Sequence, residues 1–319
     1  MSGCSTEAET LQGLLEKYQK VTILSHINPD ADALGTALGL YSWLREQGYR
    51  AEVVNASEDI PRFLDFLPFF SKLKREMDFE DSLIIVCDCG SLDRTGFDLS
   101  GRMVVNIDHH VSNRMFGQLN IVDPEAVASA EVAYRLIRPL HPVSKESAVA
   151  FYTALVSDTR NFTTSNMRQQ TLVLASELAA LGVDIAKLSE SMLHRRSLAS
   201  LRILGVAIDS LLLKADARIA VMRISREDLL RTGARQSDLD GVVDYAKSLA
   251  TAEIAVMLVE QQEGIKVSVR SKHVDIGGLV EAFGGGGHAH AGGFEQEGTT
   301  MEALLQRLLE SIEERGLLG

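Results

Sequence analysis

The sequence predicts an α/β protein: an N-terminal parallel-sheet domain joined by a helical linker to a smaller α/β domain. Three observations carry this. The chain has 319 residues, which at roughly 100–200 residues per domain favours two domains. Short apolar runs of strand type alternate with segments of helical periodicity. The apolar pattern breaks up around residues 182–205 and then resumes.

The elements follow in order. Residues 21–25 (VTILS) form a short apolar strand, and the polar loop HINPDAD follows. Leu34, Ala37, Leu38, Tyr41 and Leu44 recur at helical spacing, and Gly48 stops that helix. A strand is expected at 51–54. The runs 83–87 (LIIVC) and 103–107 (MVVNI) read as parallel strands covered on both faces. Helices are expected near 129–138, 146–157, 168–181 and 184–194. These make a domain over 1–190, a linker over 191–205 and a second domain over 206–319. The later segments are helices near 199–212, 226–231, 240–248, 276–283 and 300–314, and strands at 218–223, 252–260 and 265–271. The last two strands are joined by QQEG, a hairpin turn.

Composition excludes several classes. Apolar residues make up 45% and charged residues 24%, a globular balance. No apolar run approaches the roughly 18 residues of a spanning helix, and the first residues, MSGCSTEAET, lack a secretory pattern. No membrane partner and a cytoplasmic location are expected. The net charge of −12 argues against a long nucleic-acid groove, but not against a short or mononucleotide ligand at one local site. Three cysteines are too few for a disulfide framework, and Cys87-x-Cys89 lacks zinc-knuckle spacing, so both are expected in the core.

Each apolar strand ends in ionisable residues. The first runs into His26, Asp30 and Asp32, the second into Asp88, and the third into Asp108, His109 and His110. The helix over 147–156 ends at Ser157-Asp158. Open α/β sheets bind ligands at the carboxyl ends of their strands, so these groups can meet in one crevice. Singly, the aspartates read as helix caps and the histidines as turn residues. Jointly they read as mixed N/O ligands for a pair of divalent ions, favouring Mn²⁺ and compatible with Mg²⁺ or Zn²⁺. Asp30 and Asp32, two residues apart, can serve different ions, and Asp88 and Asp158 are candidate bridges. Without ions, four clustered carboxylates would raise one another's pKa values. A metal pair suits in-line displacement at phosphorus.

HINPDADA, VCDCGSLDRTG, NIDHHVSNRMFG and LVSDTRNF resemble the four motifs of the DHH phosphoesterase superfamily. SVRSK followed by GGGGHAHAGG resembles its DHH-associated C-terminal domain. The resemblance spans nearly the whole chain and is strongest to the nano-RNase/pAp phosphatase branch. It implies that His26 and Asp30 hold one ion, Asp32 and His109 the other, that Asp88 bridges and that Asp158 completes the site. It leaves His110 facing the substrate phosphate as a stabiliser or proton donor, with Asp108 orienting a histidine. Asn113 and Arg114 lie in the loop that the family uses near substrate. Arg160 follows Asp158-Thr159 where the family often has glycine, and is a candidate phosphate contact.

In the second domain, Arg270, Ser271, the backbone of Gly285, Gly286 and Gly287, and His288 are expected to grip a phosphate. The implied substrate is a short oligoribonucleotide or a nucleoside bisphosphate, held between the domains. A homodimer is a candidate assembly. The alternatives are a stand-alone phosphodiesterase for pApA or cyclic dinucleotides, and a non-catalytic nucleotide sensor. Gly35 and Gly39, four apart on the first helix, are expected to permit close helix–strand packing.

Overall fold

A computed structural model describes residues 2–319. Contacts divide the chain into two units, one ending at Arg195 and the other running from Arg196 to Gly319. No helix among the described residues is long and apolar enough to cross a membrane.

The first unit runs α1 (Ser2–Tyr18), β1 (Lys20–Ser25), α2 (Ala31–Glu46), β2 (Arg50–Val54), β3 (Leu73–Lys74), β4 (Leu83–Cys87), β5 (Val104–Asp108), β6 (Leu119–Val122), α3 (Ser129–Ile137), α4 (Lys145–Asp158), α5 (Gln169–Ala180) and α6 (Ile185–Leu193). Its six strands lie in the order β3-β2-β1-β4-β5-β6, and every pairing is parallel. The chain builds outward from β1 in one direction, then returns to β4 and builds in the other. The order therefore reverses between β1 and β4, the place where open α/β sheets open a crevice. Alternate residues serve opposite faces. Ile23, Ile85 and Ile107 join the core beneath the helices, while Leu24, Ile84 and Val86 pack with Leu99 and Cys89 on the other face.

The second unit runs α7 (Leu198–Asp209), β7 (Leu212–Lys214), β8 (Ile219–Ile224), α8 (Arg226–Thr232), α9 (Val242–Lys247), β9 (Ile254–Gln261), β10 (Gly264–Ser271), α10 (Gly277–Ala282), β11 (Gly286–His288), β12 (Ala291–Gln296) and α11 (Met301–Glu314). Its sheet is mixed, in the order β11-β12-β10-β9-β8-β7, with only β8 and β9 parallel. Residues 198–205, placed in the linker by sequence, lie in α7, whose Ile203 and Ala207 are buried against this sheet.

Several elements are absent from the sequence reading. Strands β3, β6 and β7 are only two to four residues long, too short to show a period. Helix α1 is also new. The glycine run forms an edge hairpin: Gly286 pairs with Gly293, Gly287 with Gly292 and His288 with Ala291. The Gly35–Gly39 expectation changes its partner. A Cβ on Gly35 would lie 2.6 Å from the Ala150 carbonyl oxygen, and one on Gly39 2.5 Å from the Phe151 ring. The close neighbour is thus helix α4, not a strand.

That contact seats α4, and with it Asp158, against α2. Gly35→Ala should lower the stability of the first unit by about 1–3 kcal/mol, because the clash is with backbone and exceeds the ~1 kcal/mol gain in helix propensity. Urea titration monitored by Trp43 fluorescence checks it; unchanged stability would mean that the helices separate freely.

Candidate active site

The crevice between β1 and β4 collects side chains from four segments. β1 leads into His26 and a loop that ends at Asp30, which caps α2 by accepting from the Ala33 amide at 3.0 Å. The cap uses Oδ1 alone, so capping does not preclude a ligand role for the same carboxylate. Asp32 sits in the first turn of α2 and is fully buried. Asp88 follows β4 directly and adopts φ 54, a left-handed backbone that costs a non-glycine residue energy and marks functional sites. β5 ends at Asp108, and His109 and His110 follow. Asp158 is the last residue of α4.

The ligand-type atoms fall into overlapping sets. His26, Asp30 and Asp88 each offer an atom within 4.8 Å of the others, and so do Asp32, Asp88 and His109. Asp88 is common to both. His109 Nε2 lies 3.7 Å from Asp32 Oδ2, 3.6 Å from Asp88 Oδ1 and 3.5 Å from Asp158 Oδ2. His26 Nε2 lies 3.6 Å from Asp88 Oδ2. The Nδ1 atoms of both histidines meet backbone carbonyls, His26 that of Ile27 at 2.8 Å and His109 that of Ala126 at 3.3 Å. A carbonyl only accepts, so Nδ1 carries a proton and Nε2 is the nitrogen turned toward the carboxylates. That orientation leaves Nε2 as the atom that would ligate a metal.

Charge in the cluster is uneven. Burial pushes Asp32 well above the usual carboxylate range, and Asp88 and Asp158 add to it. Asp158 is raised likewise, by burial and then by Asp30 and Asp88, with His110 and Arg160 opposing. Asp88 is driven down: burial works against it, but the hydrogen bond from His26 and the charges of the three histidines prevail. Repelling, desolvated carboxylates beside imidazoles that turn a nitrogen toward them are the donor chemistry of a divalent-cation site, so the residues present fit a metal pair.

Asp108 serves a different purpose. Its Oδ1 accepts from His110 Nδ1 at 2.7 Å and from the His109 amide at 2.8 Å. Burial opposes the His110 imidazolium, but Asp108 and Asp88 outweigh it and hold its pKa at about 9. Asn113 donates to Asp108 Oδ2 and also bonds Asn106, so its side chain braces the loop. Arg114 is largely exposed, 4.0 Å from Asp93. Arg160 opens a run of three left-handed residues, Arg160, Asn161 and Phe162, a conformation that suits glycine at the position where the resemblance expects one. Cys87 and Cys89 are buried and unpaired, and burial pushes the Cys89 thiol up to about 12.

The sequence does not single out Ser129. The N-terminus of α3 points into the cluster. The amides of Ser129 and Ala130 donate to Asp32 at 2.7 and 3.2 Å, and the Ser129 hydroxyl donates to Asp88 Oδ1 at 2.9 Å. Asn55 is a second such residue. Its amide holds the Ser25 hydroxyl and the His26 carbonyl, fixing the turn that aims the histidine. Both are ordinary polar residues in sequence, and only the fold gives them a role.

In the second unit, Arg270 pairs with Ala291, which pairs in turn with His288. Directly opposed residues share a face, so Arg270 and His288 flank Ala291 on the face of the sheet opposite the Val267 and Val269 core. Burial along β10 alternates, with Ile265, Val267, Val269 and Ser271 covered and Arg270 on the other side. Ser271, grouped with Arg270 by sequence, therefore faces inward, where its hydroxyl donates to the Val274 carbonyl and meets His290. The glycines divide likewise. A Cβ on Gly285 would lie 2.2 Å from the Gly293 carbonyl oxygen and one on Gly287 2.3 Å from that of Ala291, so packing requires both. A Cβ on Gly286 would meet nothing within 4 Å.

The DHH family N-terminal domain matches residues 20–157, and the DHHA1 domain matches residues 216–315. The bifunctional oligoribonuclease and PAP phosphatase NrnA of Thermus thermophilus is 31% identical over 305 residues, covering 92% of this chain and 89% of that protein. The protein of the same name in Bacillus subtilis is 28% identical over 282 residues, covering 86% and 89%. The crystal structure of an exopolyphosphatase-related protein from Bacteroides fragilis aligns with a TM-score of 0.87 at 27% identity over 97% of each chain. Fold, site and relatives thus define a phosphoesterase with Asp and His side chains clustered at a parallel-sheet switch point. The chain belongs to the DHH family, in the form that carries a DHHA1 domain.

Ser129→Ala should weaken divalent-ion binding about 10–100-fold while leaving the fold intact, because it frees Asp88 from its orienting donor. Calorimetric Mn²⁺ titration with circular dichroism checks this; unchanged affinity would make the hydroxyl incidental.

Proposed function

We propose that this protein is a binuclear-metal phosphoesterase that hydrolyses short oligoribonucleotides and 3′,5′-nucleoside bisphosphate (pAp). The observation that carries the reading is the pair of ligand sets sharing Asp88, in a chain whose relatives are named for both activities. His26, Asp30 and Asp88 would hold one ion and Asp32, Asp88 and His109 the other, with Asp158 beside the second. The N/O donor mix favours Mn²⁺. When bound, the ions neutralise charge developing on the phosphoryl oxygens and lower the pKa of the attacking water.

The chain's own residues do the rest. Asp108 holds His110 as an imidazolium through Nδ1, so Nε2–H is the atom that meets the leaving oxygen and delivers its proton. The amides at the start of α3 keep Asp32 in place as charge shifts during turnover. In the second unit, Arg270, Gly286 and His288 form a small-residue floor between two cationic or donor side chains, suited to a terminal phosphate. A reducing, cytoplasmic setting agrees with the buried free thiols.

A hydrolysis panel of pAp, di- to pentaribonucleotides, pApA, cyclic di-AMP, pyrophosphate and long RNA, with Mn²⁺ added, tests the reading. Turnover of pAp and the short oligomers, little action on long RNA, and loss of all turnover on chelation are expected. Preference for pApA or cyclic di-AMP would move the protein to dinucleotide signalling. Silence on every substrate would overturn the reading.

Gly286→Val should fold normally, since a strand position with open space accepts a branched side chain, yet raise KM for pAp about tenfold with little change in kcat. Unchanged steady-state constants would remove the floor from the substrate site.

A further inference from the structure

Helix α3 starts without a cap of its own. Its N-cap, Ala128, has no side-chain bond to give, so the amides of Ser129 and Ala130 are left for Asp32, 97 and 98 residues away. Glu131, in the same turn, faces the other way. It is 1% exposed, and its Oε2 reaches back to accept from the Val127 amide at 3.1 Å. Two guanidiniums hold it there. Arg135 Nη1 lies 3.7 Å and Arg168 Nη2 3.5 Å from Glu131 Oε1. Arg135 also pairs with Asp123, whose amide donates to the Asp108 carbonyl at 3.1 Å.

Arg168 makes this more than a strut within one helix. It is the N-cap of α5, and so closes the segment that opens just after Asp158. Its Nη1 lies 3.8 Å from Glu125 Oε2, so one guanidinium spans two carboxylates that flank Ser129 in sequence. Its Nε and Nη2 are buried and make no hydrogen bond. Its hold on Glu131 is therefore charge attraction away from bulk water, where such attraction is stronger. We propose, on the reading of the Asp and His cluster as a divalent-ion site, that Arg168 and Glu131 are positioning residues. Their ion pair clamps the start of α3 to the segment after Asp158, and so sets where Asp32 and Asp88 are held.

Calorimetric Mn²⁺ titration of the full chain reads the clamp without turnover. Arg168→Ala and Glu131→Gln should each weaken Mn²⁺ binding about tenfold, the lower end for groups that orient metal ligands. Each should lower kcat for pAp about tenfold with KM little changed. Glu131→Gln keeps an acceptor for the Val127 amide, so it isolates the charge. Arg168→Lys keeps the positive charge and should recover most of the affinity. Arg168→Ala combined with Glu131→Gln should be no weaker than the worse single variant, because both remove one pair. Should Glu131→Gln fail to fold, Arg168→Ala and Arg168→Lys, at a partly exposed side chain, carry the test. A lower urea midpoint with unchanged Mn²⁺ affinity would make the pair an ordinary structural contact and overturn the proposal, as would additive effects in the double variant. Mn²⁺ binding that responds as expected, with no turnover of any substrate, would overturn the phosphoesterase reading and leave the clamp standing.

Discussion

The carboxylate of Asp88 is the point on which the first unit turns. It sits at the end of the central strand β4 in a left-handed backbone conformation, within reach of His26, His109 and His110 and bonded by Ser129. A buried carboxylate survives only where donors and cations surround it. Those donors arrive from β1, from the segment after β5 and from the N-terminus of α3. The strand order that places β1 and β4 side by side is therefore as much a requirement of the site as of the core.

Around that point the first unit separates two duties between similar residues. Asp32, Asp88 and Asp158 face one another and raise or compete for charge. Asp108, one strand away, is committed to His110 and Asn113, and gives His110 a proton to hold. Two adjacent histidines thus play different parts, since His109 turns Nε2 to the carboxylates and His110 carries a charge. The backbone contact of His109 and the carboxylate contact of His110 make the difference.

The sheet and the Asp and His cluster at its edge were legible because their signals are local. LIIVC is apolar at every position, as a strand covered on both faces must be, and each such run leads directly into Asp or His. What was illegible depends on neighbours distant in sequence. Ser129 is 41 residues from Asp88, and nothing in AVASAE marks it as a donor. Ser271 looks like Arg270's companion until the pleat turns it inward. The glycine run reads as a loop because glycine favours turns, yet here two of its members vanish into backbone-to-backbone packing and one leaves a space. Composition cannot tell those roles apart.

The dispersal of the ligands governs when the site comes into being during synthesis. His26 emerges early, but Asp158 ends a helix halfway along the chain, and its seat depends on the glycines of α2. No hairpin or single βα repeat contains a complete set of donors, and long-range parallel pairing forms late. The Asp and His cluster therefore closes only once the sheet and α4 have assembled. A ribosome-bound fragment ending before α4 would present aspartates without a place to put them.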